Sequence, residues 1–172
     1  DFYVIIPAHH EGRNIGAVIE RAKRFAGNKS IIVVDDGSRD GTAAEAARHG
    51  VTVLRHVINL GKGTALRTGC TYAYRKGAEA LVFMDSDGQH DPEDLPRLLP
   101  ALEGNDIVFT YRDRNSTHMP LVKKFGNAFI DATMKLLFGI NVKDTQCGYK
   151  AMTRQAYERL SLMSNDYSIE SE

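Results

Sequence analysis

Three polar clusters in this chain carry carboxylates at short spacing: Pro7-Ala8-His9-His10-Glu11, Asp35-Asp36-Gly37-Ser38-Arg39-Asp40-Gly41-Thr42 and Asp85-Ser86-Asp87-Gly88-Gln89-His90-Asp91. An aspartate just before a helix reads first as a cap, which is the expectation for Asp40 and Asp91. Asp85 and Asp87 differ: they alternate on an extended segment, so both cannot be caps. Two hard carboxylate ligands one residue apart, with the amide oxygen of Gln89 nearby, suit Mg2+ or Mn2+. Such an ion would neutralise a diphosphate and stabilise it as a leaving group. A fourth stretch, Asn59-Leu60-Gly61-Lys62-Gly63-Thr64-Ala65, is not a P-loop, because Lys62 lies between the glycines instead of following them. It lacks the third glycine of a dinucleotide fingerprint and follows a third strand, not a first. What remains is either a tight turn or a phosphate-contacting corner of open amides and a lysine at a helix N-terminus.

The elements that must position these clusters alternate along the chain. Continuous apolar, β-branched runs at 2–7 and 30–34 predict buried strands, and runs at 51–55, 80–84 and 106–111 predict three more. Between them, Ile15, Val18, Ile19, Ala22 and Phe25 form a helical stripe over 14–25. Further helices are predicted over 41–49, closed by Gly50, over 62–75, closed by Gly77, and over 93–102 after Pro92. A long amphipathic helix is expected over 120–138 and a last one over 153–162. Alternating strands and helices with short connectors predict an α/β fold, a mostly parallel Rossmann-like sheet with helices on both faces. Ligands of such sheets bind at the carboxyl ends of the strands, where three of the clusters fall.

The chain has 172 residues and 19.1 kDa, the size of one domain that buries roughly 68–70% of its unfolded surface. Regular alternation stops after about residue 112. The expected organisation is therefore a single domain over 1–172, with a nucleotide-binding half over about 1–112 and an acceptor-binding half over about 113–172. With 22 basic against 22 acidic residues, a general nucleic-acid-binding role is excluded, since that needs a net basic face. Cys70 and Cys147 are too few and too far apart for a disulfide scaffold or a structural zinc site, and reduced thiols fit a cytoplasmic setting. No apolar run approaches the ~20 residues of a membrane span. The chain opens directly on a strand and stops at Ser171-Glu172 without a terminating signal, which reads as an excised catalytic domain.

Taken together, the clusters resemble glycosyltransferase family 2, the inverting transferases of GT-A fold. VIIPAHHEGRNI resembles the family's opening motif, with His9-His10 in place of an aromatic-Asn pair. IIVVDDGSRDGT matches its second-strand motif, NLGKGTALRTG its third-strand loop and helix, and FMDSDGQHDPEDLPRL its DxD motif with extension. The resemblance implies that Pro7, Ala8 and Glu11 line the nucleotide pocket and that Asp36 receives the base edge, with Asp35 supporting the loop. It places Lys62 and Gly63 beside the base and phosphates. Asp85 falls at the donor sugar or ribose, Ser86 among the donor-binding residues, and Asp87 and Gln89 at the metal.

Asp144-Thr145-Gln146-Cys147-Gly148-Tyr149-Lys150 resembles a segment of dolichyl-phosphate glucosyltransferases and related polyprenyl-phosphate hexosyltransferases, and Tyr167–Glu172 the family's later acidic motif. The implied reaction is displacement at the anomeric carbon of a UDP- or GDP-hexose by a polyprenyl or dolichyl phosphate, at the cytoplasmic face of a membrane. An acceptor phosphate is already ionised near neutral pH and needs cations rather than a strong base. Arg112, Arg114, Lys123 and Lys124 are placed to supply them, with Arg112 and Lys124 nearest the family's acceptor-phosphate positions. Part of the 120–138 stripe, with Lys123, Lys124 and Lys135, would then face anionic headgroups. A hydroxyl acceptor would instead require a carboxylate base, for which Glu170 or Glu172 are the candidates. A phosphate-accepting receiver domain is disfavoured, because receivers keep their acidic pair after the first strand. Cys147 reads as a small buried residue and His90 as a loop residue that can approach the metal. His49, His56 and His118 show no metal-ligand pairing.

Overall fold

The computed structural model describes residues 1–88, 92–110 and 148–159. The predicted 120–138 helix lies outside these residues. So do Gln89, His90, Asp91, Arg112, Arg114, His118, Lys123, Lys124, Lys135, Cys147, Glu170 and Glu172.

Five of the strands are those expected: β1 (Phe2–Ala8), β2 (Ile31–Asp36), β3 (Thr52–His56), β4 (Ala80–Phe83) and β5 (Ile107–Phe109). The helices are α1 (Ile15–Ala22), α2 (Thr42–Arg48), α3 (Lys62–Arg75), α4 (Leu95–Ala101) and α5 (Arg154–Arg159). The bounds of α3 are those predicted. At its end the amides of Gly77 and Ala78 bond to the carbonyls of Tyr74 and Ala73, closing the helix in a Schellman motif.

The helix expected over 14–25 ends at Ala22, and two larger differences stand out. The helix expected over 93–102 begins as a 3-10 turn, Pro92–Asp94, and only then becomes α4. Pro96 has no N–H to donate to the carbonyl of residue 92, so the α-helical ladder cannot start that early. The second difference is an unforeseen strand, β6 (Lys150–Thr153), at the end of the Asp144–Lys150 segment. The sheet order is β3-β2-β1-β4-β6-β5. β6 is inserted between β4 and β5 and runs antiparallel to both, while β1–β2, β1–β4 and β2–β3 are parallel.

Successive strand residues point to opposite faces. Val4, Ile6, Ile31, Val33, Val82 and Met84 pack with Ile15, Val18 and Ile19 of α1 and with Leu95 and Leu98 of α4. Ile5, Ile32, Val34, Leu81 and Phe83 pack on the other face with Ala65, Leu66, Cys70 and Ala73 of α3. The burial predicted for the runs at 2–7 and 30–34 is therefore present, on both faces. After β3 the chain crosses from one side of β1 to the other to form β4, so the β1–β4 crevice is the sheet's topological switch point. Among the described residues no helix is long and apolar enough to cross a membrane.

Candidate functional site

The alternation that builds the core also aims the carboxylates. Ile32, Val34 and Asp36 share one parity on β2, so Asp36 emerges on the α3 face. Asp35 follows Ile31 and Val33 to the opposite face. Continuing past β4, Leu81, Phe83 and Asp85 share a parity, again toward α3. Asp36 and Asp85 thus reach the same side of the sheet from strands flanking β1. Between them opens a cleft of about 290 Å3. Pro7, Ala8, His9 and Glu11 line it from β1 and its loop, Asp36 from β2, and Asn59, Gly61, Lys62 and Ala65 from the α3 corner. Asp85, Ser86 and Asp87 close it from beyond β4.

The base of this cleft is tied together by hydrogen bonds across three loops. Asp36 Oδ1 accepts from Leu60 N at 2.9 Å and from His56 Nδ1 at 2.7 Å, and Oδ2 accepts from Gly61 N at 2.8 Å. The loop after β1 is fastened to the loop after β2 by four contacts. His9 Nδ1 donates to the Asp36 carbonyl at 2.7 Å, and His10 N to Ser38 Oγ at 2.9 Å. Glu11 N donates to Thr42 Oγ1 at 2.9 Å and Gly12 N to Asp40 Oδ2 at 3.1 Å. His10 sits at φ 59°, a left-handed conformation that histidine and asparagine adopt more readily than most residues. Gly37 has φ 70°, and a Cβ there would run into the backbone of Ile58 and Asn59. Only glycine lets the β2 and β3 loops pass so closely.

Asp35 lies beneath this wall. It is fully buried, accepts from Ser38 N at 3.1 Å, and has Arg55 Nε 3.2 Å from its other oxygen. Asp40 caps α2 from outside its first turn, accepting from the amide of Thr42 at 3.0 Å and from the Thr42 hydroxyl. The capping role expected for it is present.

The opposite rim is built differently. Lys62 Nζ lies 3.0 Å from Asp85 Oδ1, and Asp87 is exposed at the mouth. Gly148, just before β6, lies against Asp85 so closely that a Cβ would overlap the carboxylate. Of the lining residues, Glu11, Asp36, Asp85 and Asp87 carry carboxylates and Lys62 is the single lysine. A cleft of that charge repels a diphosphate unless a cation enters with it. Among the described residues no group of three or more His, Cys, Asp or Glu side chains could by itself enclose a metal ion. One or two carboxylates at an open mouth nevertheless fit Mg2+ or Mn2+, which keeps water and takes phosphate oxygens as its other ligands.

The description "Glycosyl transferase family 2" belongs to a family whose sequence model matches residues 3–161. The chain belongs to this family. It is 34% identical to the polyprenol monophosphomannose synthase of Mycolicibacterium smegmatis, over 95% of this chain and 65% of that protein. It is 33% identical to the UDP-N-acetylglucosamine–dolichyl-phosphate N-acetylglucosaminyltransferase of Methanococcus voltae, over 92% of this chain and 72% of that one. The fold matches glucosyl-3-phosphoglycerate synthase from Mycobacterium tuberculosis, solved with Mn2+, UDP-glucose and phosphoglyceric acid. The TM-score is 0.79 at 25% identity, covering 98% of this chain and 61% of that one. The chain therefore spans about three fifths to three quarters of these three proteins, and its sheet is that of the GT-A transferases.

Within this transferase fold the sequence-predicted donor residues converge. Pro7, Ala8, Glu11, Asp36, Lys62, Asp85, Ser86 and Asp87 all border one cleft. Gly63 is buried in the first turn of α3, and its neighbours Gly61 and Ala65 line the cleft instead. Asp35 lies beneath the cleft wall and accepts from Ser38 N. Gln89, Arg112 and Lys124 lie outside the described residues. Sequence reasoning missed the contacts of His56, whose ring bridges Asp36 and Thr68 Oγ1 (2.9 Å), and the place of Gly148 against Asp85. For Gly148 the signal was available as a glycine inside the Asp144–Lys150 motif. For His56 no local pattern pointed to it.

Proposed function

We propose that this chain is the catalytic domain of an inverting hexosyltransferase that moves glucose or mannose from a UDP- or GDP-sugar to a polyprenyl or dolichyl phosphate. The observation that carries the reading is the contact of Gly148 with Asp85. It brings the end of the Asp144–Lys150 segment, the motif shared with lipid-phosphate hexosyltransferases, against a carboxylate of the donor cleft. The names of the two relatives, a polyprenol and a dolichyl-phosphate transferase, support the acceptor class.

In this reading the nucleotide lies over Pro7, Ala8 and Glu11 with its base at Asp36, and Lys62 meets the diphosphate. Asp87 and Gln89 hold Mg2+ or Mn2+, which when bound offsets the charge on the departing diphosphate. The Mn2+ bound with UDP-glucose in the solved relative supports this assignment. Asp85 anchors Lys62 and meets the donor sugar or ribose. Arg112 and Lys124 hold the acceptor phosphate, whose second ionisation near pH 6 leaves it a ready nucleophile at pH 7. The domain works at the cytoplasmic face of a membrane, against the lipid surface.

The test is transfer from labelled UDP- and GDP-hexoses to a short-chain polyprenyl phosphate with Mn2+ present. Lipid-linked hexose is expected, falling roughly tenfold to a hundredfold in Arg112→Ala and Lys124→Ala. Preferred transfer to free sugars or glycans, with loss only in Glu170→Gln, would overturn it in favour of a hydroxyl acceptor.

A further inference from the structure

We infer that His56, fixed by Thr68, makes the cleft selective for uracil over guanine by occupying the part of Asp36 that a second base N–H would need. This rests on reading the cleft as the nucleotide-sugar donor site.

An ionised carboxylate offers about four acceptor positions, two on each oxygen. On Asp36 three are filled from within the chain. Oδ1 takes both His56 Nδ1 at 2.7 Å and Leu60 N at 2.9 Å, and Oδ2 takes Gly61 N at 2.8 Å. One position on Oδ2 is left, on a side chain that borders the cleft. Guanine presents two adjacent donors on this edge, N1–H and the exocyclic amine, a pair that a carboxylate meets best with both oxygens at once. Uracil presents one, N3–H, between two carbonyls. A carboxylate with Oδ1 saturated matches the single donor and leaves the second donor of guanine without an acceptor on Asp36, which is costly.

Of the three internal donors, His56 is the one a side chain supplies. Leu60 and Gly61 give backbone amides that a substitution does not remove. His56 ends β3 directly opposite Asp36 in the β2–β3 register. Its side chain is 11% exposed, so water cannot readily take its place. Because Asp36 only accepts, Nδ1 must carry the proton, and Nε2 faces the Thr68 hydroxyl on α3 at 2.9 Å. Thr68 thereby fixes the ring that fixes Asp36. His56 does not border the cleft, so it is a positioning residue that acts through Asp36.

The experiment is calorimetric binding of UDP and GDP, each with Mn2+, to the full chain and to His56→Ala, His56→Asn and Thr68→Val, with thermal melts to verify folding. The unsubstituted protein is expected to favour UDP by about tenfold or more, the worth of one charge-assisted hydrogen bond. His56→Ala should cut that ratio by about tenfold, because Oδ1 regains a position for guanine. His56→Asn, whose amide N–H falls near the place of Nδ1, should retain the ratio, and Thr68→Val should lower it partway. A general structural role would weaken both nucleotides alike and leave the ratio unmoved. Equal or tighter GDP binding by the unsubstituted protein, or an unchanged ratio in His56→Ala, would overturn the inference while leaving the donor-site reading in place. Binding of neither nucleotide would overturn both. Should His56→Ala not fold, the ratios of the unsubstituted protein, His56→Asn and Thr68→Val decide the matter.

Discussion

The two rims of the cleft are held in opposite ways. At the β1–β2–β3 rim every loop is tied to another: Asp36 collects two backbone amides and an imidazole, and Ser38, Asp40 and Thr42 pin the loop after β1. At the β4 rim Asp85 faces Lys62, and Asp87 stands exposed at the mouth. The first rim is tied by the chain's own hydrogen bonds, so in the proposed reading a base docking there loses little conformational freedom and meets a shaped surface. The second gathers Asp85 and Asp87 at the mouth, where a bound cation would offset carboxylate charge alongside Lys62. The difference teaches that carboxylates which all follow buried strands and look alike in sequence are held differently, those of the first rim by the fold itself and, in the proposed reading, those of the second for the chemistry.

The largest expected effect should fall on the open rim and on activity alone. Asp87→Ala should lower metal-dependent transfer by about 10²–10³-fold, the usual cost of removing one group that stabilises developing charge. Because Asp87 is exposed, the melting temperature should stay within roughly 2 °C. Near-normal transfer at low Mn2+ would remove Asp87 from the metal site and erase the contrast between the rims.

The tied rim should respond in the reverse sense. Asp36→Ala leaves two backbone amides and an imidazole N–H without their acceptor in a buried place, at a cost of about 3 kcal/mol. For a domain of this size that lowers Tm by roughly 10 °C, and nucleotide affinity should fall with it. Gly37→Ala should destabilise by a similar amount, about 3 kcal/mol, through its positive φ and the overlap with the Ile58–Asn59 backbone. A melt of either variant that matches the parent protein would show that the loops are not braced through these residues.

Gly148→Ala sharpens the comparison, because it intrudes on the open rim from just before β6. Its Cβ would displace the end of the Asp85 side chain, which can swing away at little cost to the fold. Transfer should fall about tenfold with Tm nearly unchanged, a split that marks a disturbance of Lys62–Asp85 and not of the core. If stability fell and activity per folded molecule did not, the close approach would be packing alone.

How far the sequence could be read follows the same division. β1, β2 and β4 are runs such as Val4-Ile5-Ile6 and Ile31-Ile32-Val33-Val34, whose length and β-branching predict buried strands before any packing is known. The polar clusters mark their carboxyl ends for the same reason. β6 could not be read this way. Lys150-Ala151-Met152-Thr153 has no strand pattern, and it is extended because β4 and β5 pair with it from both sides, a case of tertiary context overriding weak local preference. The site was legible wherever a carboxylate followed a strong strand. It was illegible where a residue acts through another, as His56 does, since cross-strand register and not spacing brings it to Asp36.

The smallest effect expected concerns Asp40, at the outer edge of the tied rim. The Thr42 hydroxyl, first, holds its carboxyl below the usual range; the cost of burial opposes it, and the amides of Thr42 and Gly12 add to the lowering. Its unfolded value is near 3.8, so its folded value is depressed. The sign follows: the stabilisation is fully present above the unfolded value and is lost as pH falls through the folded one. The side chain is exposed, and solvent screening keeps the contribution small. Asp40→Asn keeps an acceptor for the Thr42 amide but removes the charge, so it should lower Tm by roughly 2 °C at pH 7. The difference between the two proteins should shrink as pH drops below about 4, where the unfolded carboxyl begins to take up a proton, and vanish only below the depressed folded value. Nucleotide affinity should not change, because Asp40 braces the loop from behind and does not border the cleft. A Tm difference independent of pH between 3 and 7 would mean that the hydrogen-bond geometry, and not the carboxylate charge, is what Asp40 contributes to the rim.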